Sequence, residues 1–187
     1  MVGRSLVLVR TRWLGKILAV GLFAAFTALT ARIAVWLPFT PVPVTVQVLA
    51  VLLGGLVLGA RGGAAAQVTY LAAIAAGLPF TASGTGGPAA FLGPTAGYLI
   101  AFAPAAFATG WLSERLGAGS LRSLFASFVG VAIIYIGGTS WLSVWFGGDV
   151  ARAWRLGAAP FVLADAAKAA VAAAVTASGR RLVSLFG

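Results

Sequence analysis

Asp165 and Lys168 stand three residues apart inside an apolar run, Ala158 to Ala177, that is long enough to cross a bilayer. At ~100° per residue this spacing returns both side chains to one helical face. Either group near a bilayer centre costs roughly 2.5–3.5 kcal/mol on the insertion scale. Such residues therefore face a protein interior or a wet cavity, with a partner or a ligand. Two chemistries fit the pair. One is an intrahelical ion pair that hides both charges. The other is a polar ligand site, in which the carboxylate accepts N–H bonds and the ammonium donates to an oxygen.

The elements that must position this pair belong to a membrane protein. The chain has 187 residues, 61% hydrophobic and only 9% charged, against about 25% charged in a soluble domain. Its net charge of +10 comes from thirteen Lys and Arg against Glu114, Asp149 and Asp165. The basic residues lie between apolar runs rather than in one patch, which points to membrane orientation and not to nucleic acid. With no cysteine and no histidine, the chain lacks disulfides, Cys/His metal sites, haem ligation by those residues and His-based catalysis. Three carboxylates would nearly all be consumed by one acidic metal cage. No metal, cofactor or enzymatic activity is therefore expected; the chain binds and moves something. Gly15-Lys16-Ile17 has neither the preceding glycine nor the hydroxyl of a P-loop, so any ATP is hydrolysed by another polypeptide. Phe146-Gly-Gly-Asp149 resembles the acidic motif of intramembrane aspartyl proteases only faintly: its first position is Phe, and Asp149 reads as a loop residue beside Arg152 and Arg155.

The expected fold is all-α: a polytopic membrane protein of one domain, 1–187, with a basic cytoplasmic N-terminus (1–13), a six-helix bundle (14–177) and a basic cytoplasmic tail (178–187). The six apolar segments are Leu14–Leu37, Val44–Ala60, Gly62–Gly77, Pro94–Leu112, Leu124–Trp145 and Ala158–Ala177. The first is too long for a signal-peptide core. The second and third are short for a span of about 20 residues and are joined by the tight turn 59–63, so they read as a hairpin of short or tilted helices. With the N-terminus inside, Arg4, Arg10, Arg12, Lys16, Arg61, Arg115, Arg122, Arg180 and Arg181 lie inside and Arg32, Arg152 and Arg155 outside, favouring N-in/C-in. Trp13 and Trp111 then mark the inner interface, and Trp36, Trp141 and Trp145 the outer one.

This topology gathers three stretches on the outer face. Leu37 to Thr45 carries Pro38, Pro41 and Pro43, which make it stiff and extended. Gly77 to Thr95 is rich in glycine, with hydroxyls at Ser83 and Thr85, and Pro94 suits the first turn of the fourth segment. The sixth segment opens at Pro160, with Asp165 about 8 Å further in at 1.5 Å per residue; Tyr98 is similarly shallow. Neither loop holds a charge, so they read either as ordinary packed loops or as a lid over an outward pocket with Asp165 and Lys168 on its floor. Gly21, Ala24, Ala25 and Ala28 form a small-residue face on the first segment, for internal packing or for docking a separate membrane subunit.

The stretches Phe39-Thr-Pro-Val-Pro-Val-Thr-Val-Gln-Val-Leu-Ala-Val-Leu-Leu53, Gly77-Leu-Pro-Phe80, Gly93-Pro-Thr-Ala-Gly-Tyr98 and Asp165-Ala-Ala-Lys168, in that order, resemble the BioY family over nearly the whole chain. BioY proteins are substrate-binding S components of biotin transporters of the energy-coupling-factor (ECF) type. The resemblance implies a six-helix membrane protein of the prokaryotic cytoplasmic membrane that captures biotin from outside. It also implies a transmembrane coupling (T) subunit and ABC-type ATPases as partners, or a homo-oligomer when the chain acts alone. It maps the ligand-contacting acid and lysine onto Asp165 and Lys168, and the closing first loop onto Pro38, Pro41, Val42 and Pro43. The family motif usually has Gly where this chain has Ala96, and some relatives carry a basic residue near position 85, where Thr85 has no charge for a carboxylate. Biotin offers two ureido N–H donors, a ureido oxygen, an apolar bicycle and a carboxylate. Asp165 suits the N–H groups; Lys168 suits either the ureido oxygen or the carboxylate. Phe39, the loop prolines and Tyr98 suit the apolar walls, with Thr40, Gln47, Ser83 and Thr85 as secondary polar contacts. A helix start near Pro160 favours an anion. The alternatives are an S component for another vitamin, such as thiamine or riboflavin, and a structural membrane subunit without a ligand.

Overall fold

The computed structural model describes the backbone of residues 2–117 and 119–186, and the side chains of residues 13–117 and 119–179. The basic residues Arg4, Arg10, Arg12, Arg180 and Arg181 therefore lie outside the described side chains. Six helices follow one another: α1 (Val2–Ala31), α2 (Gln47–Ala75), α3 (Ala96–Leu116), α4 (Ser120–Trp145), α5 (Val150–Gly157) and α6 (Val162–Phe186). Among the described residues, five stretches are long and apolar enough to cross a membrane, the last taking in α5 and part of α6 together. Their outer faces carry large apolar side chains such as Leu22, Ile136 and Leu163, the last 85% exposed. In water such a surface would associate; against lipid it is the expected solvent face.

The expected boundaries shift in physically interpretable ways. The first apolar run does not stay helical to Leu37. It leaves the helix at Ala31, and Ala34–Val35 (β1) pairs antiparallel with Val44–Thr45 (β2), Ala34 opposite Thr45. The chain is mostly helical, as expected of an all-α membrane protein; the small ribbon beside the helices forms because Pro38, Pro41 and Pro43 cannot continue a helix and the flanking backbone groups pair with each other instead. This ribbon closes the proline loop into a compact Ω-like excursion. Pro94 does not open the fourth helix; it precedes α3, whose cap is Thr95. Pro160 falls in a 3-10 turn, Ala159–Phe161, ahead of α6. Asp149 is not a plain loop residue but the N-cap of α5, accepting the Arg152 N–H at 2.8 Å.

Inside α2 the backbone leaves helical geometry at Gly59 (φ 76, ψ −178). The chain folds back there. Gln47 and Tyr70, ~35 Å apart along a straight helix at 1.5 Å per residue, are hydrogen-bonded at 2.7 Å, and Gly63 packs directly on Gly55. The positive φ suits glycine, and a Cβ there would strike the Glu114 carboxylate, which accepts the Ala60 N–H at 2.9 Å. The two arms of α2 pack on α1, α3 and α6, and α4 packs on α3 and α6. Small residues make these crossings close: Gly55 meets Ala106 and Gly110, and Gly97 meets Gly137. The small-residue face of α1 is split. Ala24 and Ala28 are buried in the bundle, while Gly21 and Ala25 are exposed.

Candidate functional site

One end of the bundle carries the Gly59 turn; the other carries the proline loop, the glycine-rich loop and α5. A cavity opens at the latter end. Its floor holds Asp165, 3% exposed, in the first turn of α6. A carboxylate there benefits from the helix N-terminus. Lys168 Nζ lies 2.6 Å from one carboxylate oxygen, and the Tyr135 hydroxyl donates to the other at 2.6 Å. Isolated burial of either charge would cost several kcal/mol; here each carboxylate oxygen has a charged or phenolic donor. The ion pair forms and both of its members line the cavity, so the two readings posed by spacing do not exclude each other.

Side-chain hydrogen bonds, several of them to backbone carbonyls, tie the elements around the cavity together. The last turn of a helix leaves C=O groups without partners. In α5 those of Leu156 and Gly157 are taken by the Thr40 hydroxyl (2.6 Å) and the Tyr98 hydroxyl (2.8 Å). The Tyr98 ring lies against Gly138, where any side chain would overlap it. Gln47 donates to Tyr70, whose hydroxyl donates to Phe80 O at 3.1 Å, tying the start of α2 to the glycine-rich loop. Trp141 donates to Gly93 O at 2.8 Å, so it is turned toward the protein rather than serving only as an interface anchor.

Of the residues expected at the site, Asp165, Lys168, Tyr98, Gln47 and Ser83 line the cavity, as do Val42 and Pro43 of the proline loop. Others are placed elsewhere. Phe39 is 56% exposed and stands outside the cavity wall. Thr40 is buried, with its hydroxyl committed to Leu156 O, so it latches the loop to α5. Thr85 bonds Ser83 at 2.9 Å, and its N–H goes to the Thr81 hydroxyl, which makes it a loop-shaping residue. Pro38 and Pro41 flank the loop without lining the cavity. The residue that spacing did not reveal is Tyr135. The signal was available: a mid-helix tyrosine in an apolar run needs a partner for its hydroxyl, and a buried carboxylate is the strongest acceptor on offer. Trp36, Thr45 and Phe161 also line the cavity.

The model of the BioY family matches residues 5–185. The probable biotin transporter BioY of Pyrococcus horikoshii is 42% identical over 82% of this chain and 88% of its own length. The biotin transporter BioY of Rhizobium etli is 40% identical over 81% and 86%, and that of Thermotoga maritima 37% identical over 89% and 96%. The crystal structure of the S-component for biotin from an ECF-type ABC transporter superposes with a TM-score of 0.85 at 24% identity, covering 91% of this chain and 93% of that one. The bundle thus has a known fold, and the chain belongs to the BioY family.

Proposed function

We propose that this chain captures biotin at the outer face of a prokaryotic cytoplasmic membrane and imports it as the S component of an ECF-type transporter. Counting the arms of α2 separately gives six crossings with both termini inside, an arrangement that the distribution of basic residues supports. A transmembrane coupling subunit and ABC-type ATPases then supply the energy, consistent with the absence of a P-loop in the sequence. The observation that carries the proposal is the ion pair of the buried Asp165 with the part-buried Lys168, joined by Tyr135, in the cavity of a chain of this family.

The chemistry of that floor matches a ureido ring. Asp165 has lone pairs for both ring N–H groups, and Lys168, with one of its three N–H donors on Asp165, keeps donors for the ureido oxygen. Leu99, Phe102, Ile134 and Phe161 offer an apolar wall to the bicycle. The proline loop, held by Thr40 and the β1–β2 ribbon, acts as the lid. The test is a biotin titration of the detergent-purified chain with thiamine and riboflavin as competitors. Saturable binding displaced by unlabelled biotin alone is the expected result; displacement by thiamine or riboflavin, or no binding by folded protein, would overturn it.

A further inference from the structure

We infer that Arg32 and the Ser83 hydroxyl form a carboxylate subsite at the rim of the cavity and set its preference for an anionic ligand, an inference that rests on the biotin reading above. The cavity has a buried end and an exposed end. Asp165 is buried at the floor, whereas Ser83 and Trp36 line the cavity and are themselves exposed. A ligand whose ureido ring takes the floor therefore carries its acid toward Ser83. The reverse placement sets that acid's charge beside the Asp165 carboxylate at the buried end of the cavity, where like charges repel with little water to screen them. The glycine-rich loop around Ser83 has no charge of its own between Gly77 and Thr95.

Arg32 brings the missing charge from the end of α1. Its guanidinium donates to Pro79 O at 2.6 Å, and its other terminal nitrogen lies 3.1 Å from where a Cβ would stand on Gly84, the neighbour of Ser83. Only one of the five guanidinium N–H groups is needed for the bond to Pro79, and the fork geometry of the rest suits a carboxylate. A side chain at position 84 would press on that nitrogen, and glycine there leaves the guanidinium uncovered beside Ser83, which lines the cavity. The other cations of this end are differently disposed: Lys168 pairs with Asp165 at the floor, Arg152 lies over the Phe146 ring at 4.6 Å, and Arg155 is on the exposed side of α5.

The test compares biotin with neutral biotinamide on the detergent-purified chain. Wild type should bind biotin about tenfold or more tightly than the amide, as expected for one charge-assisted contact, with the margin shrinking at high ionic strength. Arg32→Gln should abolish the margin by weakening biotin alone, with amide affinity kept as the check of folding, and Arg32→Lys should restore part of it. Equal weakening of both ligands in Arg32→Gln and Arg32→Lys, as from a loop that has merely lost its tie to Pro79, would overturn the inference. So would an undiminished margin. Wild-type protein that binds neither ligand would overturn the biotin reading, and the inference with it.

Discussion

The two ends of the bundle each hold a carboxylate, and they use it in opposite ways. At the loop end Asp165 is buried, and a phenol and an ammonium supplied by side chains satisfy it. At the other end Glu114 is exposed and accepts a backbone N–H, capping the Gly59 turn. A second recess lies at that end, between α1, the Gly59 turn and α3, and is lined by Lys16, Arg61 and Glu114. Its charges sit where water and counter-ions screen them. The difference lies in the partners: Asp165 is satisfied by side chains that line a cavity, whereas Glu114 completes the backbone of a turn.

The contrast can be broken by substitution. Lys168→Ala leaves Asp165 buried without its counter-charge, and loss of one partner of a buried pair costs on the order of 3 kcal/mol. A large fall in thermal stability in detergent, together with loss of biotin binding, is expected; a stable, fully binding variant would remove the pair from the site. Gly59→Ala places a Cβ against Glu114 at positive φ, and strain of this kind costs about 1–3 kcal/mol. Its melting temperature should fall while the biotin Kd of the folded fraction stays at the wild-type value. Tyr135→Phe removes a phenol from a buried carboxylate, a change of about 1–2 kcal/mol that thermal unfolding of the empty protein should register. Glu114→Gln retains an acceptor for Ala60 on an exposed side chain, so stability should change by roughly 0.5 kcal/mol or less and biotin affinity not at all.

Much of this arrangement is legible before any coordinates. The helical character of the apolar runs, the reversal near residue 59 and the co-facial Asp165 and Lys168 follow from hydropathy, glycine placement and helical period. The β1–β2 ribbon is not legible, because four residues pairing across a proline loop leave no periodicity to read. The short helix α5 was hidden by its charges: Asp149, Arg152 and Arg155 read as loop residues, whereas Asp149 caps a helix whose last carbonyls anchor Thr40 and Tyr98. Thr40 and Thr85 were placed at the site by their position in a loop. Position alone does not tell where a hydroxyl spends its bonds: that of Thr40 goes to Leu156 O of α5, and that of Thr85 bonds Ser83 within its own loop. Tyr135 was missed for the complementary reason, since its partner lies thirty residues away on another helix.

The central claim is that the buried carboxylate of Asp165 holds the ligand, beyond holding Lys168 and Tyr135 in place. Asp165→Asn keeps the size of the side chain and one acceptor oxygen, but it removes the charge and the second acceptor. The direct measurement is biotin affinity of this variant beside wild type, on samples whose cooperative thermal unfolding shows that both are folded. A loss of about a hundredfold or more is expected, given two N–H contacts to a charged acceptor. Unchanged affinity in folded Asp165→Asn protein would contradict the account.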